Sequence, residues 1–383
     1  VNDTPAPTPG ALGDLRILDF SRVLAGPFAT MMLADLGAVV TKVERPGAGD
    51  ETRSWGPPWD AHGRATYFQS VNRNKDSVVI DLATDEGRRQ AHELAATADV
   101  LVENFRPGVM DSLGLGWKAM HAVSPGLVYC SITGFGDGES ARILPGYDLL
   151  VQALGGLMSI TGAPSGEPQK VGVALVDVLT GLFASTGILA ALRHRDGTGE
   201  GQRVQLDLLS CLLASLVNQG SAYTVAGVVP RRMGNAHPSI SPYEVYPTAD
   251  GELVLAVGND RQFSALCTVL GDPALAQDPR FATNPSRVTH RDALREALVE
   301  RLRVRTAAQW AGELTEARVP AGVVNDIAGA FALAQRIGLE PIVEIPDPST
   351  GATIALTRNP IGLSATPATY RSAPPPLGPA ESE

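Results

Sequence analysis

Short β-branched runs recur through the first third of the chain: RILDF (Arg16–Phe20), AVVTKVE (Ala38–Glu44), SVVIDL (Ser77–Leu82), DVLVENF (Asp99–Phe105) and LVYCSI (Leu127–Ile132). Between several of them the apolar positions take helical spacing. PFATMMLADLG runs helically and stops at Gly37; TDEGRRQAHELAATA opens on Thr84 as an N-cap, with acids in its first turn. Strand alternating with helix predicts an α/β fold with a parallel sheet. After Gly201, QRVQLDLLSCLLASLVNQGSAY reads as a strand feeding a long apolar helix. Composition changes near Val225. SPYEVYPTADGELVLAVG then reads as a hairpin turning at Asp250-Gly251. Helical patterns follow from Arg261 to about Arg318, and ATIALTRNPIGLS returns to strand character. This predicts a large domain over 1–224, a smaller α+β domain over 225–330, and a return to the large domain with a tail over 331–383. The tail, SAPPPLGPAESE, is expected to fray.

At 383 residues the chain exceeds the roughly 250–300 at which one core stops growing, which fits two domains. Hydrophobic residues make up 44% and charged residues 19%, a globular rather than a disordered composition. The net charge of −10 argues against general binding to nucleic acid or anionic membranes, and leaves room for a local basic pocket. The run from Val171 to Leu192 is interrupted by Asp177 and is expected to make a poor membrane span. Cys130, Cys211 and Cys267 suggest neither a disulfide framework nor a metal knuckle, and the Pro-rich start lacks a signal peptide's apolar core. A reducing, cytoplasmic location is expected. Six histidines show no tight metal spacing, so no metal site is predicted. No GxGxxG follows the first strand and no GxxxxGK[ST] is found, which sets aside ordinary dinucleotide and P-loop sites.

Asp177 stands alone in QKVGVALVDVLTGLFASTGILAALRHR. One reading is a helix cap, since Asp is a preferred cap and an apolar helix follows. The other is chemical. The positive end of the helix dipole keeps a carboxylate ionised despite apolar neighbours, and an ionised, poorly hydrated carboxylate is a nucleophile. The two readings are compatible. Upstream, Gly155 and Gly156 allow close backbone approach, so their N–H groups are candidates for an oxyanion hole as well as for a plain flexible loop.

Nine segments in order resemble the family III CoA-transferases, whose relatives include formyl-CoA transferase, carnitine CoA-transferase and the α-methylacyl-CoA racemases. They are ILDFSRVLAGPFATMMLADLGAVVTKVERPGAGDETR, NRNKDSVVIDL, DVLVENFRPGVMDSLGLG, YCSITGFG, PGYDLLVQALGGLMSITG, DVLTGLFASTGILAAL, GNAHPSISPYEVYPTADG, DPRFATNPSRVTHRDAL and VPAGVVND. The resemblance implies a Rossmann-like large domain built from both chain ends, a small domain and an interlocked homodimer. It implies acyl-CoA and a small carboxylic acid as substrates, with coenzyme A moved between them and no tightly bound cofactor. It places the nucleophile at Asp177, which would attack the thioester and carry the acyl group and then CoA.

The loop SRVLAGPFA lies where ligands meet a parallel sheet, and the resemblance has it bind CoA through Arg22, Val23, Leu24 and Ala25. One relative carries Gln where Leu24 stands, so that side-chain contact is absent here. Lys42 and Arg45 follow the second strand, where adenine and ribose phosphate would sit, and the residue matching Arg45 contacts that end of CoA. Asn104 and Arg106, in ENFRPG, are further CoA-binding candidates. A family arginine in the MDRLG position is Ser112 here. His237 lies in a Gly-, Pro- and Ser-rich loop that could close over the site, although the run of glycines found in some transferases is missing. Tyr147 separates transfer from racemisation. The racemases carry His there as an α-carbon base, whereas a phenol with a pKa of about 10 is a poor one. Two alternatives to CoA transfer remain: a racemase on the same fold, and a non-catalytic CoA-binding protein, whose mark would be loss of Asp177.

Overall fold

The computed structural model describes residues 10–378 and divides them into two units. The larger holds residues 10–157, 170–228 and 340–378, and the smaller holds 158–169 and 229–339. These divisions differ from the 224/225 and 330/331 boundaries that composition suggests. The first follows the end of a helix at Ala226 and its left-handed Gly227. Nothing in the local pattern of 158–169 marks it as part of the smaller unit.

Six strands of the larger unit form a wholly parallel sheet: β1 (Arg16–Asp19), β2 (Val39–Glu44), β3 (Lys75–Val79), β4 (Val100–Glu103), β5 (Val128–Thr133) and β6 (Arg203–Asp207). β3 starts two residues before the run that announces it and stops at Val79. The strand order is β3-β2-β1-β4-β5-β6. This is the doubly wound order of Rossmann folds, whose direction reverses between β1 and β4. Every residue of β4 and β5 is buried, as strands covered on both faces require. Ile17, Val100, Val102 and Cys130 pack on one side with Ala29 and Leu33 of helix α1 (Ala25–Asp35). Leu18, Leu101 and Tyr129 pack on the other with Ala91 and Ala95 of α2 (Asp85–Ala96), whose N-cap Thr84 accepts from the Gly87 N–H.

Beyond β5 come α3 (Asp148–Leu154) and the 24-residue α4 (Leu175–Thr198). α4 is long and apolar enough to cross a membrane. Asp177 is its third residue and leaves the apolar stretch unbroken, contrary to the expectation that the charge would interrupt it. Ala184, Ile188, Ala191 and Leu192 of α4 are buried in the sheet core. The single long helix expected after β6 is two, α5 (Leu208–Ser215) and α6 (Val217–Ala226), bent by 84°. Val217 takes a left-handed φ of 43° at the break.

Residues 340–378 rejoin the larger unit through the antiparallel pair β10 (Ile342–Asp347) and β11 (Ala352–Thr357), numbered after the three strands of the smaller unit. The strip beyond it is bonded rather than frayed as far as it is described. The Thr369 N–H donates to the Asp35 carbonyl, the Asn74 N–H to the Ser372 carbonyl, and Arg53 to the Pro375 carbonyl. The acidic end of the tail lies outside the described residues.

The smaller unit is α+β. Its sheet, β7 (Tyr243–Pro247), β8 (Glu252–Ala256) and β9 (Ala321–Val323), is antiparallel, with Asp250 and Gly251 in the β7–β8 turn. α7 (Asp260–Val269), α8 (Arg291–Leu302) and α9 (Ala307–Glu316) pack on it through Phe263, Leu266, Leu294, Leu298 and Trp310.

Candidate active site

The chain after β1 turns sharply, because Val23 holds a left-handed φ of 68° that no glycine relieves. Asn104, just after β4, spans the reversal of strand order. Its Oδ1 accepts from the Arg22 N–H at 2.8 Å and its Nδ2 donates to the Arg22 carbonyl at 2.7 Å. Asp50 accepts from the Val23 N–H at 3.3–3.4 Å. Gly26 is required at the start of α1, since a Cβ there would lie 2.2 Å from Ser21 Oγ. Asn104 thus fixes the loop beside a cavity of about 210 Å³. The cavity gathers Arg22, Val23, Leu24, Ala25, Asn104 and Arg106 with Tyr147, Asp148 and Asp177.

Asp177 does not cap its helix. Asp148 does so from α3: its Oδ2 accepts from the Val176 N–H at 2.8 Å and the Asp177 N–H at 3.2 Å, while Oδ1 accepts from buried Gln152. Asp177, the third residue of α4, stands in the same first turn without capping it. The half-buried Asp177 carboxylate has no hydrogen bond or ion pair among the described residues. Burial first, and the Asp148 charge second, push its pKa up to about 7. This corrects the expectation that the helix dipole keeps Asp177 fully ionised: burial and the Asp148 charge outweigh the helix end.

Tyr67 is a site residue that sequence reasoning misses. It packs against Leu24, Met31 and Val71, with Ala174 and Val178 of the Asp177 segment in the same cluster. Burial, and then the fields of Asp177, Asp148 and Asp50, push its phenol up to about 12. It is therefore a permanent O–H donor at neutral pH. Trp55, which lines the cavity, meets Tyr67 edge-on with ring centres 5.4 Å apart. Only this pairing of two distant aromatics could have signalled Tyr67, and nothing in the sequence joins them. Tyr147 is 64% exposed and reaches the cavity from the N-cap of α3.

The expected cations fare differently. Lys42 is wholly buried. Its Nζ donates to the Ser21 carbonyl at 2.7 Å and pairs with Asp50 at 3.0 Å, so it props the loop from beneath instead of reaching a phosphate. A charge at 0% exposure has to be spent on an internal partner. Arg45 is half exposed and lines a second, largely apolar cavity of about 320 Å³ with Phe20, Ile80, Leu82 and Phe105. Arg22 pairs with Glu51 at 2.8 Å. Arg106 and Arg142, the latter missed by the sequence, line the first cavity without a carboxylate partner among the described residues. Ser112 is exposed and bonds its own helix at the Val109 carbonyl.

Gly155 and Gly156 do not line the cavity. A Cβ on Gly155 would strike Leu212 and the Val151 carbonyl, and Gly156 takes a φ of 85° just past the end of α3. Packing accounts for a glycine at 155, and the turn accounts for one at 156. His237 belongs to the smaller unit. Its Nδ1 accepts from the Ser239 N–H at 3.1 Å, and its ring tilts against Tyr243.

The profile of CoA-transferase family III matches residues 12–380. A succinate–glutarate CoA-transferase of Agrobacterium fabrum is 46% identical over 375 residues, covering 96% of this chain and 93% of that protein. An acetyl-CoA:oxalate CoA-transferase of Acetobacter aceti is 39% identical over 362 residues, covering 94% and 91%. Among solved structures, a CAIB/BAIF family protein from Brucella suis superposes with a TM-score of 0.85 at 42% identity, covering 97% of each chain.

Proposed function

The chain belongs to CoA-transferase family III, and from that premise we propose that it moves CoA from an acyl-CoA thioester to a short dicarboxylic acid through a covalent intermediate on Asp177. One observation carries this reading. Asp177 is a desolvated carboxylate with no ion-pair partner among the described residues, whereas the other two carboxylates of its cavity are engaged, Glu51 by Arg22 and Asp148 by the helix end and Gln152.

Ionised Asp177 attacks the thioester carbonyl. The C–S bond breaks, leaving an acyl-aspartyl anhydride and CoA thiolate. The thiolate then attacks the aspartyl carbonyl, which releases the donor acid and leaves CoA as a thioester on Asp177. The acceptor carboxylate displaces that thiolate, forming a second anhydride. The thiolate takes the new acyl group, and free Asp177 returns. Every step exchanges one activated carboxyl for another, so neither a net proton nor an electron is needed. Tyr67, protonated throughout, supplies an O–H to the negative charge that builds as each carbonyl is attacked. The dicarboxylic class of substrate comes from the relatives, which are named for succinate, glutarate and oxalate. Racemisation is disfavoured, because Tyr147 offers a phenol where an α-carbon base is required.

A homodimer belongs to the same reading. Leu182, Phe183 and Leu189 of α4, Leu213 of α5 and Tyr223 of α6 are exposed on a single chain. Such an apolar face supports pairing with a second, interlocked copy, and sedimentation at low concentration should find no folded monomer.

The test of the mechanism is chemical. Protein incubated with succinyl-CoA and quenched with hydroxylamine should carry a mass change on the peptide containing Asp177. Asp177→Asn should lose transfer and still bind CoA. Full activity in that variant would remove the aspartyl route.

A further inference from the structure

The smaller unit contains a cavity of about 810 Å³ that the aspartyl chemistry does not use. Four arginines line it, Arg231, Arg232, Arg291 and Arg295, against two carboxylates, Glu244 and Asp292. In a chain of net charge −10 this is a marked local reversal of sign.

Two of the four are occupied. Arg295 pairs with Glu244, donates to the Val245 carbonyl at 3.0 Å and lies over the Tyr246 ring. Both oxygens of Glu244 are engaged, the second accepting from the Tyr246 hydroxyl at 3.1 Å. Arg232 donates to the carbonyls of Ala163 at 3.3 Å and Gly166 at 3.0 Å.

The other two are not. Arg291 spends Nη2 on the carbonyls of His237 at 2.8 Å and Pro238 at 3.4 Å. Its Nη1 is buried with no hydrogen-bond partner among the described residues. Arg231 is exposed on the rim, and its guanidinium has neither an ion pair nor a hydrogen bond among them. A buried N–H on a cation is among the most costly groups to leave without an acceptor. The acceptor that satisfies a guanidinium best is a carboxylate or phosphate, which matches its planar fork.

We propose that this cavity is a second ligand site, in which Arg291 from within and Arg231 from the rim take a compact oxyanion carried by a small molecule. A carboxylate of a diacid and a phosphate of the CoA nucleotide both present the required chemistry. The site is independent of the aspartyl route, because binding alone reveals it.

Calorimetry on full-length protein in the Asp177→Asn background, where no transfer intrudes, tests it with three probes: glutarate, pentanoate and adenosine 3′,5′-bisphosphate. Glutarate or the bisphosphate should bind, and Arg291→Gln and Arg231→Gln should each weaken that binding about tenfold or more. Pentanoate, with a single carboxylate, separates recognition of the second acid group from recognition of the chain. Loss confined to glutarate identifies a carboxylate occupant, and loss confined to the bisphosphate identifies a phosphate. Arg231→Gln guards against misfolding, since its side chain holds nothing in the fold. The proposal is overturned if none of the probes binds, or if both variants bind them as the parent does.

Discussion

Asp19 and Asp177 belong to the same unit and are both buried in part or whole, yet their pKa values have moved in opposite directions. Asp19 is wholly buried at the end of β1, and burial alone would raise its pKa. Lys75 at 3.1 Å, the nearby Lys42 charge and hydrogen bonds from Ser21 and Thr30 outweigh that, so its carboxyl lies below the usual range. Asp177 keeps part of its surface exposed, yet it titrates near neutrality because burial raises it and its charged neighbour, Asp148, adds to that rather than opposing it. Desolvation supplies the sensitivity, and the sign of the nearest charge decides the outcome. One aspartate is a structural anion at every ordinary pH; the other is a carboxylate of raised energy, fit to attack a carbonyl.

The harshest way to break the comparison is to remove Asp19's partner. Lys75→Met should cost about 3–5 kcal/mol in urea denaturation, because it strands a buried charge. The double variant with Asp19→Asn should recover much of that loss, and an undiminished penalty in the double variant would show that packing, not the ion pair, is at stake.

A gentler probe is pH. The folded protein binds the Asp177 proton more tightly than the unfolded chain, whose aspartate titrates near 3.8. That stabilisation is complete below the unfolded value and is lost as pH rises through about 7. The Asp177 contribution should therefore fall by roughly 2 kcal/mol over this window, after allowance for the solvent that Asp177 still meets, against contributions of opposite sign from Asp19, Glu44 and Asp50. Asp177→Asn should flatten that slope in denaturation midpoints measured across the range.

Asp148→Asn sharpens the contrast further, since the amide keeps an oxygen for the helix cap and deletes the charge, at the cost of the acceptor that serves Gln152. In the proposed route attack needs ionised Asp177, so the acid limb of the transfer rate should move down by about one pH unit. An unmoved limb would mean that burial alone sets the titration. The smallest expected effect belongs to Arg45→Ala. This half-exposed cation should lower CoA affinity only a few-fold and reduce its salt dependence.

Sequence showed what is local. The β-branched runs marked the strands, Thr84 its helix start and Asp250-Gly251 its turn, because each signal lies within a few residues of its effect. Strand alternating with helix implied a parallel sheet but not its order, which depends on long-range pairing. Asp177 read as a cap because caps are sought among adjoining residues, whereas the real cap, Asp148, lies 29 positions upstream. Lys42 read as a CoA-binding cation because its partner, Asp50, declares itself only when the chain doubles back. The break between α5 and α6 occurs at Leu216-Val217 with neither Gly nor Pro to announce it. In each case the missing information was three-dimensional proximity, which no window of sequence contains.

The strip from Thr369 to Gly378 has a consequence for how the molecule is made. It supplies bonding partners to Asp35, Asn74, Arg53 and, through the Gly378 N–H, Ser77 on the outer strand of the parallel sheet. A ribosome adds about 5–20 residues per second, so the strip emerges roughly 10–30 s after β6. Throughout that interval the nascent sheet has all six strands but lacks the strip beside its outer strand, β3. Edges of this kind recruit neighbouring chains, so the growing polypeptide should depend on holding chaperones until the strip arrives. Slowing translation between β6 and the strip should lower the yield of soluble protein without altering the finished enzyme.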